Sequence, residues 1–292
     1  MAITSKPKIS REKASELILT QGFSGSYQPE QVTFLLKRTQ IRPTDTLEKE
    51  RLIQSGEKHY SQMISQEQAP TERHLQLFEQ AMQHGQQRLA KEVQQLAQTL
   101  SAEFAESIVL VSFVRAGVPL GVLLYHALQD MGRDCVHYGI SIIRDRGIDF
   151  AALETIIAKH GHQSLVFVDG WTGKGAIQKE LQRSLADDPR FIDRPLPLVV
   201  LSDIGGCAWL AASGEDWLIP SGVLGSTISG LISRSICENE ALQLNEVEES
   251  NLDQWHGCVE YNHLKAFDMS QSFIKQINQI RRELPSEKNA VW

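Results

Sequence analysis

Long apolar runs, a secretory leader and clustered cysteines are all missing from this chain of 292 residues. No stretch approaches the roughly 20 apolar residues of a membrane-spanning helix, so we expect no membrane association. The first residues contain no apolar segment followed by a small-residue cleavage site, which argues against a signal peptide. We therefore predict a cytoplasmic protein.

Cysteine and positive charge are both scarce. The four cysteines, Cys135, Cys207, Cys237 and Cys258, are widely spaced and form no C-x-x-C pair, which disfavours a disulfide framework or a zinc site. The formal net charge of −7 argues against a general nucleic-acid binder. No metal ligand is predicted from the sequence. A hydrophobic content of 41% over this length is sufficient for a large core.

Apolar runs alternate with helical patterns from residue 107 onward. The predicted strands span 108–114, 137–143, 164–168 and 196–201, and the predicted helices span 119–132, 149–161 and 175–185. Strands that are apolar at every position are buried on both faces, which is typical of a parallel sheet covered by helices. The predicted fold class is therefore doubly wound α/β with a mostly parallel sheet.

The flanking regions have weaker patterns. We divide the chain into an irregular leader or cap (1–70), the α/β core (71–236) and a C-terminal extension packed on the core (237–292). An apolar stripe from Leu75 to Phe104 predicts a long helix, in which Gly85 is a candidate break. Further expectations are a short helix starting at Pro29, a hairpin near 255–262 and a last helix over 266–284.

A glycine-rich loop, "DGWTGKG" (169–175), follows the third predicted strand of the core. Its glycines allow backbone amides to turn toward one point, and the next helix presents its positive end there. Thr172 adds a hydroxyl, Lys174 a positive charge, and Asp169 a carboxylate suited to sugar hydroxyls. We predict a site for a phosphorylated sugar; the alternative is a tight turn without a ligand.

Two common phosphate-binding loops do not fit this stretch. The nucleotide-binding P-loop requires glycine where Val168 stands and serine or threonine where Gly175 stands. The dinucleotide fingerprint has the order G-x-G-x-x-G, whereas the order here is G-x-x-G-x-G.

Two other strand ends carry groups suited to anions. Arg115, Ala116 and Gly117 follow the first strand of the core, and "RDRG" (144–147) follows the second. The charges of the second segment could simply be solvated. Because parallel strands end at one edge of a sheet, the three segments together predict a shared anion site.

These segments resemble the core of type I phosphoribosyltransferases. "LVFVDGWTGKGA" resembles the phosphoribosyl-diphosphate loop, "RAGVPLG" the pyrophosphate loop, and "IIRDRGID" stands where the catalytic loop stands. Longer blocks, including "GFSGSYQPEQVTFLLK" and "DWLIPSGVLGSTISGLISRS", resemble a bacterial family found with tellurite-resistance and stress gene clusters and often labelled "cysteine protease StiP". This resemblance spans roughly residues 20–240.

The resemblance implies roles for individual residues. The implied catalytic residues are Arg144, Arg146 and Asp169. The implied phosphoribosyl-diphosphate site consists of Arg115, Ala116, Gly117, Asp169, Gly170, Trp171, Thr172, Gly173, Lys174 and Gly175. The implied acceptor contacts are Ser24, Ser26, Tyr27, Ser229 and Arg234. Tyr27 could instead be a packing aromatic, and Arg234 an ion-pair residue. Gly170 replaces the second of the two adjacent acidic residues that the usual loop carries.

The main functional prediction is a phosphoribosyltransferase that joins phosphoribosyl diphosphate to an unknown small-molecule acceptor. By resemblance it would use Mg²⁺ held mainly by the substrate and form a homodimer. One alternative is a regulatory module that binds a phosphoribosyl ligand without turnover. A minor alternative is the cysteine protease of the family label, for which Cys207 is the best-placed thiol. Its surroundings, "SDIGGCAWL", match no protease signature, and a core cysteine is the commoner explanation.

Overall fold

The computed structural model describes residues 9–192, 195–237 and 255–285. The α-helices are α1 (Arg11–Gln21), α2 (Thr46–Gln54), α3 (Glu72–Glu103), α4 (Gly117–Asp130), α5 (Phe150–His160), α6 (Ala176–Leu185) and α7 (Ser270–Arg282). The strands are β1 (Thr33–Phe34), β2 (Lys37–Arg38), β3 (Ile108–Phe113), β4 (Cys135–Ile140), β5 (Ile142–Ile143), β6 (Gly147–Ile148), β7 (Leu165–Val168), β8 (Trp171–Thr172), β9 (Leu198–Asp203), β10 (Leu210–Ser213) and β11 (Gly257–Cys258).

The main sheet is parallel and has the strand order β1-β4-β3-β7-β9-β10, with β8 paired to β9. All six residues of β3 are buried, as expected for a central strand covered on both faces. The α/β class and the predicted core helices are confirmed. The four core strands are also present, but the second ends at Ile140, and Ile142–Ile143 forms a separate antiparallel pair with β6. Strand order reverses between β3 and β7, and a crevice for ligands is expected at such a point.

Two apolar layers cover the sheet. One combines buried residues of α3, α4 and α7, and the other combines those of α1, α5 and α6. The sequence of α5 shows why this helix starts where it does: Asp149 accepts a hydrogen bond from the Ala152 amide at 3.0 Å. Asp149 therefore caps the N-terminus of α5.

Gly85 does not break the long helix. α3 is continuous from Glu72 to Glu103, and a Cβ at position 85 would lie 3.1 Å from the Trp217 ring and 3.3 Å from Pro220. The glycine therefore permits close approach of the segment around residues 217–220, and intrahelical hydrogen bonds outweigh its low propensity.

The flanking regions differ from the predictions in detail. The segment after Pro29 forms a turn and then β1, whose Thr33 pairs with Tyr138 at the edge of the main sheet, so no helix starts at Pro29. β11 pairs in parallel with β2 instead of forming a local hairpin. α7 confirms the last predicted helix. Parts of the predicted C-terminal extension, 238–254 and 286–292, lie outside the described residues, and the division into three regions stays a prediction.

Within the described ranges, no helix combines the length and apolarity that crossing a bilayer would require.

Candidate functional site

A cavity of about 440 Å³ opens at the carboxyl ends of the central strands. Its lining comes from Ala116 after β3, Arg144 after the β4–β5 region, and the segment after β7. The lining residues are Ala116, Arg144, Asp169, Trp171, Thr172, Gly173, Lys174, Ala176 and Ile177. The structure therefore brings three of the predicted strand ends to one cavity, which we call the strand-end cleft.

The glycine-rich loop forms one wall of this cleft. Gly175 has φ +73°, a left-handed conformation that favours glycine, and it stands at the N-cap of α6. Nothing lies within 4 Å of the position that a Cβ on Gly173 would take, so a ligand has room beside that backbone. The Lys174 side chain is exposed. These features are those expected of an anion-binding loop.

Asp169 is the carboxylate of the cleft lining. It is buried at the end of β7, and its Oδ1 accepts a hydrogen bond from the Gly170 amide at 2.8 Å. Burial raises the pKa of Asp169 to about 7, and the Gly170 hydrogen bond offsets only part of that effect. A carboxyl that changes protonation near neutral pH is suited to general acid–base chemistry.

Thr172 is held by a carboxylate that the sequence analysis did not identify. The Thr172 hydroxyl donates to Asp203 Oδ1 at 2.5 Å, and Asp203 also accepts from the amides of Cys207 (3.0 Å) and Ala208 (2.8 Å). Partial burial raises the pKa of Asp203, but these hydrogen bonds outweigh that effect and keep it below the ordinary value. Asp203 therefore ties the loop after β9 to the glycine-rich loop. The sequence did contain one indication of this role, because Asp203 lies at the carboxyl end of the fourth core strand.

The segment carrying Arg144 is fixed from two sides. The Arg144 amide donates to the Tyr60 hydroxyl at 3.0 Å, and the neighbouring Asp145 amide donates to Glu180 Oε2 at 2.8 Å. Arg144 is exposed and lines the cleft, whereas Arg146 is absent from its lining.

Arg115 does not line the cleft although Ala116 does. Its guanidinium makes an ion pair with Glu67 Oε2 at 2.5 Å, and Glu67 Oε1 accepts from the amide and hydroxyl of Ser226. Gly117 packs behind the site, because a Cβ there would lie 2.2 Å from the Val168 carbonyl oxygen. The Arg115 guanidinium, which was predicted to contact a diphosphate, is therefore paired with the Glu67 carboxylate of the leader.

The predicted acceptor residues lie away from the cleft lining. Tyr27 is buried and donates to the Ile228 carbonyl at 2.9 Å, and the Ser229 hydroxyl donates to Gly225. Ser24 is partly buried, and the Ser26 amide donates to the Gly230 carbonyl. These side chains belong to the packing between the leader and residues 225–230.

Arg234 also joins the leader to the later part of the chain. Its guanidinium donates to the carbonyls of Tyr60 (2.7 Å) and Met63 and lies over the Tyr60 ring. We call the contacts Tyr27–Ile228, Glu67–Ser226 and Arg234–Tyr60–Met63 the leader clasp.

Cys207 lies beside the glycine-rich loop. Its Sγ would be 2.7 Å from a Cβ on Gly175, so the sulfur lies against the N-cap of α6. It is partly buried, whereas Cys135, Cys237 and Cys258 are buried. The Cys207 sulfur contacts the Gly205 carbonyl at 3.4 Å, and no histidine among the described residues is hydrogen-bonded to it.

Two buried histidines pair with serine instead. His256 Nδ1 lies 2.7 Å from Ser141 Oγ, and His137 Nε2 lies 2.7 Å from Ser112 Oγ. Burial lowers the pKa of His137 to about 4. His256 is two residues from Cys258, but burial raises the pKa of that thiol to about 12, which disfavours a thiolate.

In the described part of the chain, no group of three or more His, Cys, Asp or Glu side chains is placed to hold a metal ion. Among the described residues that line the cleft, Asp169 is the only one with a carboxylate, which would fit an ion held mainly by substrate. The Mg²⁺ expectation and the homodimer both stay predictions.

Comparison with known proteins gives a consistent result. Residues 25–278 match the family described as "Tellurite-like stress resistance cysteine protease StiP". Over 284 residues the chain is 80% identical to a protein of Acinetobacter baylyi named "Cysteine protease StiP", covering 97% of this chain and 74% of that protein. No solved structure matches.

These comparisons overturn the main functional prediction. The phosphoribosyltransferase assignment, with its transferase and phosphoribosyl-diphosphate-binding terms, is wrong because a relative this similar is named a cysteine protease. A glycine-rich loop at a helix N-terminus indicates an anion but does not identify it. The expected association with stress resistance agrees with the family description.

Proposed function

We propose that this chain, which belongs to the family described as tellurite-like stress resistance cysteine protease StiP, is a cysteine-dependent hydrolase with Cys207 as its nucleophile. The strand-end cleft would bind the substrate beside this thiol. Peptide-bond cleavage is the reaction named for the Acinetobacter baylyi relative, and we extend it to this chain.

The observation that carries the proposal is the difference in exposure among the four cysteines. Cys135, Cys237 and Cys258 are buried, and burial raises the pKa of Cys135 and Cys258 to about 12. A substrate cannot reach such thiols without unfolding, and thiols of this kind are inert. Cys207 is partly exposed, and its sulfur lies against Gly175, the residue after Lys174 of the cleft lining, although Cys207 is not itself one of the lining residues.

The surroundings of Cys207 support a reactive role. The positive end of α6 lies against its sulfur, and such an end stabilises a thiolate. Asp203 accepts hydrogen bonds from the Cys207 amide and the Thr172 hydroxyl. These bonds hold the loop that carries Cys207 against the glycine-rich loop. The nucleophile and the anion-binding backbone are therefore parts of one connected unit.

The proposed chemistry follows from these groups. The thiolate attacks a carbonyl carbon and forms a thioester as the amine leaves with a proton; water then hydrolyses the thioester. Backbone amides near Gly173 and Gly175 would stabilise the developing oxyanion. Since no described histidine pairs with Cys207, Asp169, whose pKa is about 7, is our candidate for proton transfer.

Labelling and cleavage test this assignment together. Under native conditions iodoacetamide should modify Cys207 at least about tenfold faster than the other three cysteines, as mapped by mass spectrometry. Cys207→Ser should lower cleavage of a random peptide library by on the order of a hundredfold or more. Cys135→Ala is the matched control, because that thiol is buried away from the cleft, and it should retain cleavage. Full cleavage by Cys207→Ser would refute the assignment.

We further propose that the architecture is of the type I phosphoribosyltransferase kind, apart from any such activity. The parallel strand order and a cleft at the strand ends support this assignment. An experimental structure compared with that superfamily would test it.

A cytoplasmic location is also part of the proposal. Cys135, Cys207 and Cys258 are free thiols, which suits a reducing compartment. Fractionation of cells that express the tagged protein would test it.

A further inference from the structure

The strand-end cleft has a cationic side and an apolar side, and this division indicates a class of substrate. We propose that the cleft selects a peptide segment in which an acidic residue and a bulky apolar residue are neighbours. This inference rests on the proposed function, because it treats the ligand of the cleft as a peptide.

The cationic side consists of Arg144 and Lys174. Both are exposed and line the cleft, and within the described ranges neither makes an ion pair. Several other arginines of this acidic chain are ion-paired, as Arg115 is with Glu67 and Arg190 with Glu154. Arg144 and Lys174 share the cavity with one carboxyl, Asp169, whose raised pKa keeps it partly protonated near neutral pH, so the cavity favours an anionic ligand group.

The glycine-rich loop strengthens this preference. The space beside Gly173 is open, and α6 begins three residues later, at Ala176, directly after Gly175. An anion that contacts Lys174 would therefore also lie near the positive end of this helix. The arrangement suits a carboxylate that contacts the Arg144 or Lys174 side chain and also accepts hydrogen bonds from backbone amides of the loop.

The apolar side is formed by Trp171 with Ile177. The Trp171 side chain is 47% exposed, which is unusual for a tryptophan in a folded domain, and it lines the cleft. Its ring lies 3.6 Å from the position that a Cβ on Gly222 would take, so the backbone there supports the ring. A supported, exposed indole offers a flat apolar surface to an aromatic or large aliphatic side chain.

The size of the cleft agrees with two neighbouring side chains. A volume of about 440 Å³ lies within the range of about 300–1,000 Å³ typical of ligand sites. Because the cationic and apolar groups line one cavity, we expect the acidic group and the apolar group to be adjacent parts of one ligand. A carboxylate and a phosphate could both satisfy the cations, and we assign the carboxylate of an acidic residue.

Calorimetry on the full-length Cys207→Ser protein tests binding without cleavage. The probes are blocked tetrapeptides that differ at their two central residues: Glu-Phe, Gln-Phe, Glu-Ala and phosphoserine-Phe. We expect Glu-Phe to bind about tenfold more tightly than Gln-Phe and than Glu-Ala, and at least as tightly as the phosphorylated peptide.

Substitutions then assign each preference to one side of the cleft. Arg144→Gln combined with Lys174→Gln should abolish the preference for Glu over Gln and keep the preference for Phe over Ala. Trp171→Ala should abolish the preference for Phe over Ala and keep the preference for Glu over Gln. Each substitution should therefore be coupled energetically to one side-chain change in the peptide. Lys179→Gln and Leu218→Ala are matched controls, exposed and outside the cleft lining, and should change neither preference.

Three results would overturn the inference. They are equal binding or no binding of the four peptides, loss of both preferences in a control variant, and tighter binding of the phosphorylated peptide with no preference for Glu over Gln. Failure of the proposed function would look different: the peptides would bind with both preferences, yet wild-type protein would not cleave them. Cleavage that depends on Cys207 but ignores Glu and Phe would refute only this inference.

Discussion

Arg144 in the strand-end cleft and Arg234 in the leader clasp are the same side chain in opposite situations. Arg144 lines a cavity and, within the described ranges, forms no ion pair, whereas Arg234 donates to the Tyr60 and Met63 carbonyls. By resemblance, Arg144 was expected to be catalytic and Arg234 to contact an acceptor or form an ion pair. The comparison shows that a cation contributes to a site only if its hydrogen-bonding capacity remains unused within the protein.

The same contrast separates the hydroxyls of the two regions. Tyr27 and Ser229 in the region of the clasp donate to backbone carbonyls, and their substitution should affect folding. Thr172 lies between the two cases, because it lines the cleft but donates to Asp203. We therefore expect variants of the clasp to change stability and variants of the cleft to change ligand binding.

Asp169 provides the largest expected exception, since it is a cleft residue that should change stability. Its folded-state pKa is about 7 against an ordinary value of 3.8, so between these pH values the folded protein holds a proton that the unfolded chain has lost. The free energy of unfolding should therefore fall as pH rises from 4 to 7, by up to about 4 kcal/mol, and stay low above pH 7. Asp169→Asn should remove this dependence and stabilise the protein at pH 8.

Urea unfolding of both proteins at pH 5 and pH 8 measures this effect. The advantage of Asp169→Asn over wild type should be clearly larger at pH 8 than at pH 5, where only part of the loss has occurred. An equal difference at the two pH values would show that the Asp169 carboxyl does not titrate as described.

The next largest effect concerns the leader clasp. Arg234→Met should lower the free energy of unfolding by about 2 kcal/mol, because it leaves the Tyr60 and Met63 carbonyls without their donor. Thermal unfolding is the measurement, and Arg146→Met, a partly exposed arginine outside the cleft lining, is the matched control. If both variants lose the same stability, the clasp contacts carry no specific contribution.

The smallest stability effect is expected within the cleft. Lys174→Gln should change the free energy of unfolding by less than about 0.5 kcal/mol, because the exposed side chain makes no ion pair in the described structure. It should nevertheless weaken binding of an acidic peptide severalfold in calorimetry. A large loss of stability with unchanged binding would assign Lys174 to packing and would remove it from the site.

Much of the fold was predictable because burial leaves a local pattern. Four apolar runs with helices between them correctly predicted β3, β4, β7 and β9 of a parallel sheet, and the glycines of 169–175 correctly marked a loop that lines a cleft. Gly85 was misread for the same local reason: glycine weakens a helix by itself, but here it makes room for Trp217 and Pro220. Patterns within ten or twenty residues cannot show such a neighbour.

The assignment of site residues depended on partners far away in the chain. Arg115 forms an ion pair with Glu67, 48 residues earlier, and the Thr172 hydroxyl donates a hydrogen bond to Asp203, 31 residues later. Cys207 was already the best-placed thiol in the sequence, and the structure added that its sulfur lies beside the N-cap of α6 while the other three thiols are buried. The amino-acid order alone was enough for the layers and the loop, because solvent exclusion acts on each segment separately. The tertiary structure decided which charged groups and thiols remain available to a ligand. The reason is that hydrogen bonds and ion pairs form between segments that are distant in the sequence and share no local pattern.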